Sequence, residues 1–465
     1  MKQIYAIAKL TVKSAFRFKI VALLAVFLVL AVSALPLLLK DDGTARGFVQ
    51  ILLTYSLGLT VTTLALSTLW LSCSLLAKDI EDCRIQMLVV KPVSRWKIWF
   101  GKWLGVMTIN ALLLAIAGGV ILGLLQYRSA KLNENQKHVL QNEIFVARGS
   151  AKEAPVDLTQ DVENIFQQKM AEGSTQGEVD KVQLKKQIRE MLKYQYQLVP
   201  EGHMRVWNIP LGMAAYKLKD KPLYLKTKFI AMSHTSTFED TRSFPMMWEV
   251  GPMNSPQSWR TVIMMTPNVS QEIEVPPNLI DEKGFVQVRF INDQNDTFFF
   301  DMNDGLEILY RQGGFFINYV KGLSILFCWL GLLAAVGLSA SSFLSFPVAA
   351  FFAAFILILG LSTGTMTQVI EEGGVTGVDH ETGKIEKQTA LDRASVVIFK
   401  GLKSVTDIVR GFSPVELLSS GRTVTWGMMF RAVLQVVVVM GGLFAALGMY
   451  CFTRRELALV KGGQG

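Results

Sequence analysis

The sequence predicts an α-helical polytopic membrane protein with six transmembrane helices. A large extracytoplasmic α+β domain is expected between helices three and four. Three observations carry this. Only 18% of the 465 residues are charged, and mean hydropathy is +0.34, whereas a soluble domain carries about 25% charged residues. Charge is missing from whole stretches: 20 residues between Lys19 and Lys40, 31 between Arg46 and Lys78, 25 between Lys102 and Arg128, 49 between Lys321 and Glu371, and 22 between Arg431 and Arg454. A membrane-crossing helix needs roughly 20 apolar residues. Finally, residues 127–312 form one long polar stretch with 22 Lys+Arg and 24 Asp+Glu. A soluble enzyme, a disordered scaffold and a secreted disulfide module are excluded.

Residues 1–19 carry five basic residues and no acid, which suits a cytoplasmic amphipathic helix on an anionic leaflet. The same residues could be the charged start of a signal peptide, with Val32-Ser33-Ala34 as its cleavage site. The following apolar run of 20 residues exceeds the usual range of about 7–15, so it reads as an uncleaved anchor. Residues 20–127 hold transmembrane helices 1–3: Ile20–Leu39, Phe48–Ala77 and Trp103–Tyr127, with a charged segment at 78–102. Residues 313–365 hold helices 4 and 5. They are split into Phe316–Leu338 and Pro347–Thr365 by a turn over Ser339–Pro347, because Pro cannot continue a helix. Residues 431–465 hold helix 6, Arg431–Phe452, and a cytoplasmic tail. Lys+Arg density is twice as high in 1–19, 78–102 and 453–465 as in the other polar parts. The positive-inside rule therefore puts both termini in the cytoplasm and 128–312 and 366–430 outside.

The outer domain reads in two parts. Residues 131–198 are helical, with Val162, Ile165, Phe166 and Met170 on one face and a capping box at Thr175 and Glu178. Residues 204–311 read as an antiparallel β-sandwich with strands at Leu223–Met232, Phe244–Val250, Trp259–Met265, Gln271–Val275, Phe285–Ile291, Thr297–Asp301 and Leu306–Tyr310. Its aromatics suit the sandwich core, with a sugar-binding platform as the alternative. In the outer loop 366–430, Leu391, Ala394, Ile398, Leu402, Val405, Val409 and Phe412 keep a helical period. Ser413-Pro414 ends that helix.

Catalytic signals are absent from the chain. It contains no Gly-x-x-x-x-Gly-Lys-Ser/Thr phosphate loop, no His-Glu-x-x-His and no Gly-x-Ser-x-Gly. The four histidines are scattered, and the cysteines Cys73, Cys83, Cys328 and Cys451 lack metal spacing. No metal or cofactor is expected. No basic stripe with interleaved aromatics points to nucleic acid. The spans hold no acidic or basic residue away from their ends, so a proton relay is not expected. Energy for transport would have to come from a partner.

The segment 78–102 offers a receiving surface for one. It combines a charged stretch around Glu81, an apolar stretch with Met87 and Leu88, a break at Lys91-Pro92, and a basic return through Ser94 and Arg95. An apolar Ile85–Val90 is poor chemistry for a free loop. Thr54, Thr60, Thr62, Thr63 and Ser67 give span two a polar side, and Asn110 sits in span three. These are candidate pathway residues, or helix–helix glue.

Glu81…Met87-Leu88…Lys91-Pro92-Val93-Ser94-Arg95…Gly101-Lys102, the basic elbow at 1–19, the Ser341–Pro347 turn and the closing Phe452-Thr453-Arg454-Arg455-Glu456-Leu457 resemble the permease subunits of ABC-2 type exporters. The resemblance covers the membrane part, a little over half the chain. Where family members often have Gly-Thr, this chain has Cys83-Arg84-Ile85. The resemblance implies two facing permeases, as a homo- or heterodimer, each coupled through this segment to a separate cytoplasmic ABC ATPase in the bacterial inner membrane. Glu81, Met87, Leu88, Lys91, Pro92, Ser94 and Arg95 would then be coupling residues. A periplasmic partner is expected for the outer domain. The alternative is a membrane-anchored sensor or assembly protein whose outer domain binds a ligand or partner.

Overall fold

The computed structural model describes residues 2–17, 19–38, 45–82, 93–130, 133, 145–171, 181–232, 242–252, 258–302, 304–372, 390–410 and 413–455. The chain divides into a helical unit, Met1–Ala147 with Gly313–Gly465, and a second unit, Arg148–Gln312.

The helical unit begins with α1, Lys2–Arg17, which buries Ile7, Ala8, Thr11 and Ala15. This stripe recurs at helical spacing, while Lys2, Lys9, Lys13 and Arg17 stay exposed on the rest of the surface. Lys19 takes a left-handed φ of 55°, and the chain bends by 66° into α2, Ile20–Leu38. Then follow α3, Ala45–Glu81, and α4, Arg95–Ser129. After the second unit come α7, Phe315–Phe343; α8, Phe346–Leu361; α9, Thr363–Glu372; α10, Ala390–Arg410; α11, Pro414–Ser419; and α12, Trp426–Arg454.

Four of these helices are long and apolar enough to cross a membrane: α3, α4, α7 and α12. The bent pair α1–α2 would make a fifth, and α8 is shorter. The chain is therefore a membrane protein. The break at Leu344-Ser345 lies inside the expected turn, with Pro347 in the first turn of α8, but Ser339–Phe343 are helical and lengthen α7 beyond the expected end at Leu338. Helix α4 begins eight residues before the expected start at Trp103, so Arg95, Lys97 and Lys102 are helical. Within α12, Val433–Gly441 is wound as a π-helix, a rare form concentrated at functional sites.

The sequence explains how closely the helices approach. Gly101 and Gly105 lie one turn apart on α4, facing α1. A Cβ on Gly105 would come within 2.6 Å of Thr11 Cβ, and one on Gly101 within 2.8 Å of Ile7 Cβ. This small-xxx-small spacing lets two backbones meet where lipid supplies no hydrophobic drive. Gly448 of α12 does the same against Ser339 of α7. Helix α7 is the centre of the bundle and is far more buried than α12.

In the second unit, α5, Thr159–Ala171, and α6, Lys181–Gln197, share a small core of Val162, Phe166 and Ile188. Ile165 packs against that core, whereas Met170 is exposed. The Thr175–Glu178 capping box lies outside the described residues. The strands are β1 Val146–Ala151, β2 Leu198–Val199, β3 Met204–Pro210, β4 Leu223–Thr227, β5 Ile230–Met232, β6 Phe244–Val250, β7 Trp259–Met265, β8 Gln271–Val275, β9 Phe285–Ile291, β10 Thr297–Phe299 and β11 Leu306–Gly314. They form three sheets, ordered β1-β11-β4-β8, β2-β10-β5 and β3-β9-β6-β7.

This corrects two expectations. Among the described residues there are three sheets where a two-sheet sandwich is expected, and β1 lies in the stretch 131–198 expected to be helical, with β2 beginning at its last residue. Leu223–Met232 is two strands, because Phe229 turns into the core between them. Trp207, Trp248, Phe229, Phe290, Phe298 and Phe300 are all buried and pack as tilted and edge-on pairs. These aromatics build the core.

Candidate functional site

The sequence places coupling chemistry on the segment 78–102. Met87, Leu88, Lys91 and Pro92 lie outside the described residues, whereas both flanks of 83–92 are described.

On the first flank, the last turn of α3 presents Lys78, Asp79 and Glu81. Glu81 Oε1 accepts a hydrogen bond from the backbone N–H of Phe346 at 3.2 Å. That amide opens α8, one of the helix donors with no intrahelical partner, and a carboxylate is the natural cap for it. Lys78 Nζ lies 5.4 Å from the Phe346 ring centroid, and Trp70 packs edge-on against the same ring at 5.1 Å. The end of α3 is thus fastened to the start of α8.

On the second flank, Ser94 is the N-cap residue of α4, extended and exposed, with no side-chain cap bond. Arg95 follows it. Its Nη1 donates to the carbonyl oxygens of Phe452, Thr453 and Arg455 at 2.9, 2.7 and 3.0 Å. These oxygens end α12, where the helix dipole is negative. Arg455 Nη1 in turn donates to Ser342 O, in the last turn of α7, at 3.1 Å. Lys97 Nζ donates to Gln3 Oε1 on α1 at 3.0 Å.

Between the flanks, Lys102 of α4 pairs with Asp79 of α3 and donates to Leu75 O at 2.8 Å. Lys102 is only 3% exposed. A lysine this buried needs its charge matched, and the carboxylate and carbonyl supply the match. Glu81 and Arg95 therefore both act inside the fold, as helix caps. These contacts gather α1, α3, α4, α7, α8 and α12 at one end of the bundle.

The candidate pathway residues are not gathered in one place. Thr60, Thr63 and Ser67 fall on one side of α3, and Thr54 points about 120° away from Thr60 at 100° per residue. Thr60 is buried and bonds back to Ser56 O at 2.7 Å, and Ser67 bonds back to Leu64 O at 3.1 Å. Thr62 bonds back to Gly58 O and is exposed. Asn110 Oδ1 accepts from Thr68 Oγ1 at 3.0 Å, buried between α3 and α4. That contact is helix–helix glue, and Thr68 escaped the sequence reading. The Arg95 clasp and the Lys102–Asp79 pair escaped it too. The one signal available was a lysine seven residues inside a helical apolar pattern.

A comparison with protein-family models finds no match, and no curated protein matches the chain. Among the described residues, no group of three or more His, Cys, Asp or Glu is placed to hold a metal ion.

Proposed function

We propose that the chain is the permease subunit of an ABC-2 type exporter, driven by a separate ATPase that docks on the segment 83–92. One observation carries the reading. The two helices flanking that segment, α3 and α4, are tied through Glu81, Arg95 and Lys102 to each other and to α8 and α12. A push on 83–92 would be felt by all of them, as a subunit with no phosphate loop of its own requires. In this reading the chain has six spans, with α2 and α8 supplying the two beyond the four long helices and α1 lying on the cytoplasmic side. Both termini are cytoplasmic, 128–312 and 366–430 lie outside, and a second permease completes the path.

The test is co-purification and reconstitution with the ABC ATPase of the source cell. Leu88→Glu should lower ATP hydrolysis by the complex while leaving membrane insertion intact. A chain that captures no ATPase, or a complex whose hydrolysis ignores Leu88→Glu, removes the exporter reading and leaves the membrane-anchored sensor. Topology is checked separately. Cysteines replacing Ser174 and Gly377 should label from outside intact cells, and one replacing Lys461 only after permeabilisation.

A further inference from the structure

The outward face of the β3-β9-β6-β7 sheet carries an apolar row that is exposed at both edges of the sheet. Register places Met204, Ile291, Met247 and Val262 side by side across all four strands. Pro245 and Met264 form the adjoining pair. Met204, Val262 and Met264 are 59%, 55% and 60% exposed. The opposite faces of the same strands hold Trp207, Phe290 and Trp248 in the core. This is therefore a second apolar face on a sheet that already has one.

The row runs out to β7, the last strand of the sheet, with which only β6 pairs among the described residues. Edge strands are normally blunted by charge, proline or shortness. The edge strand β8 carries Glu272 and Glu274, and β3 ends in Pro210. Strand β7 runs seven residues, Trp-Arg-Thr-Val-Ile-Met-Met, with a single charge at Arg260.

That charge identifies the occupant. The next row is Arg289, Glu249 and Arg260. Glu249 is shared: Arg260 Nη2 lies 3.2 Å from Oε2, and Arg289 Nη1 lies 3.6 Å from Oε1. Among the described residues of this row, two guanidinium groups share one carboxylate, which leaves one positive charge over. The side chain of Arg260 is 61% exposed, at the open edge. A second copy pairing β7 with β7 would not neutralise it, because Trp259–Met265 contains no acid.

We propose that β7 is a docking edge for an extended segment of another polypeptide. The segment adds antiparallel to β7, with apolar side chains two residues apart over Met264 and Val262 and a carboxylate beside Arg260. Main-chain hydrogen bonds supply affinity, and the alternating side chains supply selectivity. The methionines let the row adapt to different apolar shapes. The inference does not depend on the exporter reading, since it concerns only the second unit's surface.

The experiment uses the full chain in detergent and two labelled peptides, acetyl-Ser-Val-Thr-Ile-Thr-Glu-Ser-amide and the same peptide with Lys for Glu. The Glu peptide should bind saturably and at least tenfold tighter than the Lys peptide, and salt should shrink the difference. Arg260→Gln should abolish the preference and Arg260→Glu should reverse it. Val262→Lys should weaken both peptides with the elution profile unchanged. Equal binding of both peptides, an order unmoved by either Arg260 variant, or no binding at all overturns the proposal. So does a concentration-dependent dimer that Val262→Lys abolishes in the absence of peptide binding, since β7 would then pair with its own copy.

Discussion

Removing the Arg95 guanidinium should loosen the end of α12 selectively. Its Nη1 reaches three carbonyl oxygens at 2.7–3.0 Å, but one nitrogen with two hydrogens makes at most two full bonds. A hydrogen bond to a charged group contributes about 1.5–3 kcal/mol. Arg95 is half-buried, so water would replace part of that in Arg95→Ala. The net loss is then about 2 kcal/mol, which is roughly a 30-fold change in a local opening equilibrium. Hydrogen exchange of the peptide covering 446–455 should accelerate by about that factor, while peptides in the middle of α7 stay unchanged. Arg95→Lys keeps the charge without the planar fork and should recover only part of the protection. If Arg95→Ala leaves exchange at 446–455 unchanged, the clasp contributes nothing and the reasoning fails. If exchange rises equally throughout the bundle, Arg95 is a general stability residue and not a local cap.

Other perturbations test the remaining contacts. Gly105→Leu should force α1 off α4, so a cysteine replacing buried Thr11 becomes reactive to maleimide; Gly119→Leu, where a side chain meets open space, should leave it protected. Lys102→Met, which leaves Asp79 without its buried partner, should cost about 3–5 kcal/mol and show as aggregation in detergent, and the double variant with Asp79→Asn should recover monodispersity. Burial holds the Glu153 carboxyl above its ordinary 4.5, against the opposing pull of Arg205 and the backbone N–H of Asn208. The folded state therefore keeps a proton that the unfolded state has lost, and stability should fall as pH rises from about 4.5 through the raised value. Glu153→Gln should remove that slope in thermal melts of the full chain, and a slope that persists would clear Glu153. Residues 129–311 expressed alone should unfold cooperatively with mixed helix and strand; a structureless aggregate would show that the second unit needs the helical one.

Strands and spans were legible where local pattern was strong. Phe244–Val250, Trp259–Met265, Gln271–Val275 and Phe285–Ile291 are strands with the bounds their composition predicts. In Phe285–Ile291 the face of Val286, Val288 and Phe290 is the buried one. β1 was missed because Val146 and Ala147 are too few to announce a strand beside Gly149 and Ser150, and only its place beside β11 makes it one. The π-helical turn of α12 had no sequence signal, since a valine run fits an ordinary helix as well.

What the sequence by itself determined is the partition of the chain. Charge-free stretches mark the four long apolar helices, the polar block of 127–312 contains the second unit, Arg148–Gln312, and Pro347 marks the start of α8. These follow from transfer energies and backbone sterics, which act residue by residue. Only the tertiary structure decided what the charges near 83–92 touch. Glu81 caps a helix 265 residues further on, Arg95 closes one more than 350 residues away, and Lys102 finds Asp79 across a crossing made close by packing. Such partners are set by which helix ends meet in space, and no local pattern encodes that meeting.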